Sequence, residues 1–151
     1  MELDQASFLQ IVRLAPLVSI DIIVRNDKGE VLLGLRKNAP ARGMWFVPGG
    51  RIYKNERLSD AFARLARSEL KITADIRETR FVGVFEHFYD ENPAGDPAFG
   101  THYIVLAHSI NLGLRESDLP LDQHAKYRWL TEAAILQATD VHPHVKAYVK
   151  A

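Results

Sequence analysis

The hydrophobic positions of this chain change period several times, and each change marks an element. Phe8, Val12 and Ala15 recur at helical spacing behind Asp4, a residue suited to capping, and Pro16 forbids continuation. Leu17 to Val24 is apolar and β-branched, broken by Ser19 and Asp21. Asn26 to Gly29 supply a turn into a second run, Val31 to Leu35, so the pair reads as a hairpin. Arg36 to Gly50 has loop chemistry, with Pro40, Gly43, Pro48, Gly49 and Gly50 enclosing Trp45-Phe-Val47. Leu58, Ala61, Phe62 and Leu65 form a stripe that predicts a helix from Leu58 to Leu70. Phe81 to Tyr89 and Tyr103 to Ile110 read as strands, joined by a loop, Asp90 to Gly100, expected to be mobile. Tyr127 to Leu130 predicts a last strand, Thr131 caps a short helix, and Val141 to Val149 predicts another. This order implies an α/β sandwich around a mixed sheet, with Trp45, Phe62 and Trp129 expected in the core.

Composition narrows the functions available. The chain's 151 residues, 47% hydrophobic, are enough for one domain, read here as spanning 1–151. Nineteen Lys and Arg balance nineteen Asp and Glu, so no overall positive field gathers nucleic acid or an anionic membrane. With no cysteine, disulfides, thiolate metal sites and cysteine nucleophiles are excluded. The acidic N-terminus and the lack of a bilayer-length apolar run lead to the expectation of a soluble, cytoplasmic protein.

Candidate chemistry concentrates in Gly49 to Glu56 and the helix after it. A glycine backbone permits close approach of a ligand, and a carbonyl beside a helical carboxylate offers the hard oxygen ligands that Mg²⁺ prefers. Arg36 and Arg51 flank this segment, and two guanidiniums beside a divalent cation suit a diphosphate. Taken alone, the same residues also describe a turn followed by a solvated helix.

The spacing of Gly50, five residues, Glu56, seven residues, Arg64 and then Glu69 resembles the box of the Nudix hydrolases. The match is reduced. Leu65 and Ser68 stand where that box has glutamates, and Lys71 replaces its glycine. Pro16-Leu-Val-Ser19 with Asp21, Trp45 to Arg51, Glu69-Leu70, His87-Phe-Tyr-Asp90, Thr101-His-Tyr103, Gln123-His124 and Tyr127 to Leu130 are similar, in order, to the Nudix branch that hydrolyses GDP-mannose at its sugar carbon. That resemblance implies a Nudix-type α/β/α sandwich. It also implies release of GDP and free sugar with inversion, from GDP-mannose or GDP-glucose, by a homodimer. One Mg²⁺ would be held by Glu69, Gln123 and a carbonyl of Gly49 or Gly50. His124 would be the general base, with Arg36, Arg51 and Tyr103 on the leaving diphosphate and Asp21 and His87 at the sugar.

Blander roles stand beside these. His102, His108, His142 and His144 are expected at the surface or in the sheet, and Glu56 with Arg64 as an ion pair bracing the loop. Phe8 is either core or a stacking surface for the base. Two further functions remain open: a pyrophosphohydrolase cutting the diphosphate, which Leu65 and Ser68 disfavour, and a catalytically silent nucleotide-binding module, which His124 disfavours.

Overall fold

The run of apolar residues at Leu17–Arg25 forms the strand (β1) around which the protein is arranged, with every residue from Ser19 to Val24 buried. In the computed structural model, which describes residues 2–150, β1 pairs in parallel with Thr101–Asn111 (β6) over nine registered positions, from Leu17 opposite Tyr103 to Arg25 opposite Asn111. Its other edge is shared. The first half, Ser19 to Asp21, pairs antiparallel with Gly49–Arg51 (β4), and only Arg25 registers with Val31 of the hairpin strand Val31–Arg36 (β2). β2 in turn carries Trp45–Phe46 (β3) and His124–Leu130 (β7), and Arg80–Tyr89 (β5) lies antiparallel on β6. The result is one mixed sheet of seven strands, in the α/β class expected.

A central strand covered on both faces is apolar at successive positions rather than at alternate ones. Ile20, Ile22 and Val24 face the helix Leu58–Leu70 (α2) and pack with Phe62, Leu65 and Leu70. Ile23, with Val31 and Leu33, faces the opposite layer, where Ile135 of Glu132–Gln137 (α3) and Val145 and Tyr148 of Pro143–Lys150 (α4) close the core. Each such side chain contributes about 1.5–3 kcal/mol by leaving water. Arg25 joins the end of β1 to α3 through Glu132 at 2.7 Å.

The predicted caps are present. Asp4 accepts from the Ser7 amide at 2.9 Å ahead of Gln5–Leu14 (α1), and Thr131 accepts from Ala134 ahead of α3. α2 spans the predicted residues and ends on Lys71 at φ 56°, the left-handed position that a glycine would fill with less strain. Phe62 is fully buried, and Trp129 and Trp45 are partly buried against the two halves of the core.

Three expectations need correction. The stretch Arg36–Gly50, read as loop, contains β3 and β4, strands too short to show a period. The last strand begins at His124 rather than Tyr127, which puts His124 on the sheet. The loop Asp90–Gly100 is fastened rather than loose. Asn92, fully buried, donates to the carbonyls of Asp96 and Phe99 and accepts from the amides of Ala94 and Asp96, while Glu91 accepts from the Ala41 amide at 2.7 Å.

Where β4 meets β1, a Cβ on Gly49 would stand 2.5 Å from the Ile20 carbonyl oxygen and closer still to Asp21 Oδ1. Backbone cannot yield there as a side chain would. Gly49→Ala should therefore destabilise the protein by about 1–3 kcal/mol, read from its denaturant midpoint, whereas Gly29→Ala, in open space at a positive φ, should show only the smaller backbone strain.

Candidate active site

The parting of β2 from β4 along β1 leaves a cleft. Ser19 and Asp21 of β1, Arg36 of β2, Gly49 and Gly50 of β4, His87 and Tyr89 of β5 and Tyr103 of β6 line a cavity of about 100 Å³ there. Thus Asp21, Arg36, Gly49, Gly50, His87 and Tyr103, chosen from distant stretches of sequence, converge.

Asp21 is 7% exposed and accepts a short hydrogen bond from the Tyr148 hydroxyl. Burial pushes its pKa up to about 7, against the pull of Tyr148 and of the Arg36 charge. His87 lies beside it, its Nε2 at 3.2 Å from the same Tyr148 oxygen. Burial, with the nearby His144 and His142, lowers the His87 pKa to about 3, so the ring is neutral. Tyr103 and Tyr89 are both pushed up by burial and keep their phenol protons.

Arg36 is the common neighbour of the site. Its charge acts on Asp21, Tyr89, Tyr103, Glu69 and His124. A bulge between Gly34 and Arg36 sets its place at the end of β2, opposite His124. The His124 ring lies against Gly34, where a Cβ would come within 2.5 Å of its Cγ and closer to Nδ1. His124 is 2% exposed with Nδ1 unpartnered, and burial followed by Arg36 lowers its pKa to about 4.

Glu69 lies one helical turn beyond Leu65, whose side chain fills the space a Gly50 Cβ would take. Burial raises the Glu69 pKa to about 7, opposed by Arg36 and reinforced by Asp122. A desolvated carboxylate of this kind suits a hard divalent cation. Among the described residues no cluster of three or more His, Asp or Glu is arranged for a metal, so an ion here would depend on one carboxylate, backbone and amide oxygens, and its ligand. Gln123 stands exposed just before β7, and its backbone carbonyl accepts from the Lys37 amide at 3.2 Å.

Arg51 is held differently. Its guanidinium stands 5.3 Å from the Phe8 ring centre and 4.8 Å from that of Tyr53. Phe8 is thus partly buried under Arg51. Glu56 and Arg64 make the expected brace: Arg64 donates to both Glu56 oxygens at 2.8 and 2.9 Å and to the Arg51 carbonyl at 2.8 Å. The Arg64 hydrogen bonds hold the Glu56 carboxyl below its ordinary range.

Sequence reasoning passed over several residues. Tyr148 looked like one more apolar position of a terminal helix. His142 and His144 keep the partly exposed placement expected of them, and His144 stacks on His87 with ring centres 4.1 Å apart and planes 2° from parallel. The pair His142-Pro-His144 beside a helix start was the only signal. His108, with the sheet placement expected, bonds Thr79 Oγ1 at 2.9 Å, and no described helix is long and apolar enough to cross a membrane.

The NUDIX domain model matches residues 15–150. The low-salt glycan biosynthesis protein Agl8 of Haloferax volcanii is 41% identical over 142 residues, covering 93% of this chain and 85% of that protein. Among solved structures, the MutT protein of Methanosarcina mazei Go1 superposes with a TM-score of 0.71 at 23% identity, over 89% of this chain and 91% of the other. The NUDIX domain of Shewanella oneidensis NrtR, solved with ADP ribose, gives 0.64 at 17% identity over 98% and 97%.

The lowered imidazole values fix a sign. An unfolded histidine titrates near 6.5, so between that pH and about 4 the unfolded chain binds protons that His87, His124 and His142 refuse, and each contributes stability that is lost on acidification. Asp21 and Glu69, raised to about 7, act in the opposite sense over the same range, so global stability blurs the effect. Residue-by-residue NMR titration resolves it: the three ring signals should stay at their neutral positions at pH 5, where an unfolded imidazole is already charged.

Proposed function

The chain belongs to the Nudix hydrolase family, and from that premise we propose that it hydrolyses a GDP-hexose such as GDP-mannose or GDP-glucose to GDP and the free, inverted sugar with the help of Mg²⁺. The observation that carries this reading is the face of α2. Leu65 is buried under Gly50 and Ser68 bonds the Leu65 carbonyl, so Glu69 alone presents a carboxylate where water activation at phosphorus requires a cluster. The polar groups lie instead in the cleft, where Asp21 and His87 suit the hydroxyls of a sugar. A relative named for glycan biosynthesis agrees with a sugar-bearing substrate.

Each residue then has a task. Glu69, the Gln123 amide oxygen and a carbonyl of Gly49 or Gly50 would hold the ion, which when bound supplies positive charge beside the diphosphate. Arg36 and Arg51 bind the diphosphate and stabilise the charge that grows on it as the bond to the sugar breaks. Tyr103, still protonated, donates to the same group. His124, neutral at physiological pH, accepts the proton of the attacking water. Asp21 and His87 orient the sugar, and Phe8 and Tyr53 hold Arg51. The reading includes a homodimer acting in the cytoplasm.

Hydrolysis in ¹⁸O-water separates the two bonds that water can attack: label should enter the sugar and leave GDP unlabelled, and label in phosphate defeats the proposal. His124→Gln should lower kcat by about 10²–10⁴-fold with KM within a few fold, because binding rests on the arginines. Glu69→Gln and Gln123→Ala should weaken Mg²⁺ affinity and activity together, by about 10–100-fold, in a Mg²⁺ titration of turnover. Glu56→Gln should do less to metal affinity, since Glu56 is engaged by Arg64.

A further inference from the structure

α4 brings to the cleft a hydroxyl that no motif includes. We propose that Tyr148 is a positioning residue that ties Asp21 and His87 into one hydrogen-bonded unit, so that the carboxylate is oriented and His87 presents Nδ1 as an acceptor for a substrate hydroxyl. The inference rests on the assignment of this end of the cleft to the sugar.

A phenol has one proton to give. The Tyr148 hydroxyl donates that proton to Asp21 Oδ2, so the 3.2 Å approach of His87 Nε2 to the Tyr148 oxygen is a hydrogen bond in which the imidazole donates. A neutral imidazole protonated at Nε2 has its lone pair at Nδ1. Tyr148 therefore selects the tautomer.

The rest of the surroundings immobilises the rings and leaves this choice open. Tyr148 is 2% exposed, packed between Val145 and the edge of Phe85, whose ring centre lies 4.8 Å away at 84°. His87, 3% exposed, is stacked on by His144 and met edge-on by Phe46 and Tyr89 at 6.0 and 6.3 Å. None of these contacts distinguishes one ring nitrogen from the other, and His142 stands beyond His144. On the Asp21 side, Oδ1 is crowded by Gly49 and Oδ2 is taken by Tyr148, so the carboxylate has one orientation. Arg36 from β2 and Tyr103 from β6 complete the wall.

Tyr148→Phe keeps the ring and removes the hydroxyl. Long-range ¹H–¹⁵N spectra of the ligand-free wild type at pH 8.5, with His87 assigned through His87→Gln, should show a proton on Nε2; in Tyr148→Phe the proton should shift partly or wholly to Nδ1. With GDP-mannose, kcat of the variant should fall about tenfold, the factor one lost hydrogen bond supplies, while KM stays within about threefold. A wild-type His87 protonated at Nδ1 overturns the proposal without any variant. So does a folded Tyr148→Phe that retains both the Nε2 proton and the wild-type kcat. A wild type that turns over no GDP-hexose defeats the functional reading, and the tautomer, read without substrate, still decides what Tyr148 does.

Discussion

β1 cannot give the whole of one edge to a single partner, and everything at the site follows from how that edge is divided. β4 takes Ser19 to Asp21, β2 takes Arg25, and between them the Ile22 amide turns to the Pro48 carbonyl at 2.8 Å. Two strands that share one edge must diverge, and the space between them is the cleft. The division also fixes what lines it. Asp21 points in from the strand that forks, Arg36 ends the strand that leaves, and Gly49 lies where the strands approach too closely for any side chain.

The electrostatic character of the cleft comes from depriving polar groups of water. Asp21 and Glu69 are pushed toward neutrality, the histidines are held uncharged, and the tyrosines retain their protons, which leaves Arg36 as the charge that bears on nearly all of them. Such a site favours a ligand with neutral hydroxyls at one end and negative charge at the other.

Much of this arrangement was legible in the sequence because its elements carry strong local signals. The stripe from Leu58 to Leu65 located α2 correctly, and the apolar run from Leu17 to Val24 located β1. Ordered motifs pointed to six of the residues that meet in the cleft. What stayed hidden depends on pairing rather than on period: β3 and β4 have two and three residues and exist only because β2 and β1 offer them edges. Tyr148 stayed hidden for a related cause. A helix records in its spacing which face is buried, and says nothing of the site that the buried face meets.

The contact of Tyr148 with Asp21 spans 127 positions of sequence. Closing a loop of that size is entropically costly and is repaid by the contacts of the intervening sheet. α4 is a short peripheral segment, and peripheral segments open at lower free energy than the core they cover. A chain whose sheet and α2 are intact but whose α4 has come away would retain most of its secondary structure and lack a finished cleft. With Tyr148 in its proposed role, catalytic competence would report completion of the whole tertiary structure, a stricter criterion than the compactness or helicity of the chain.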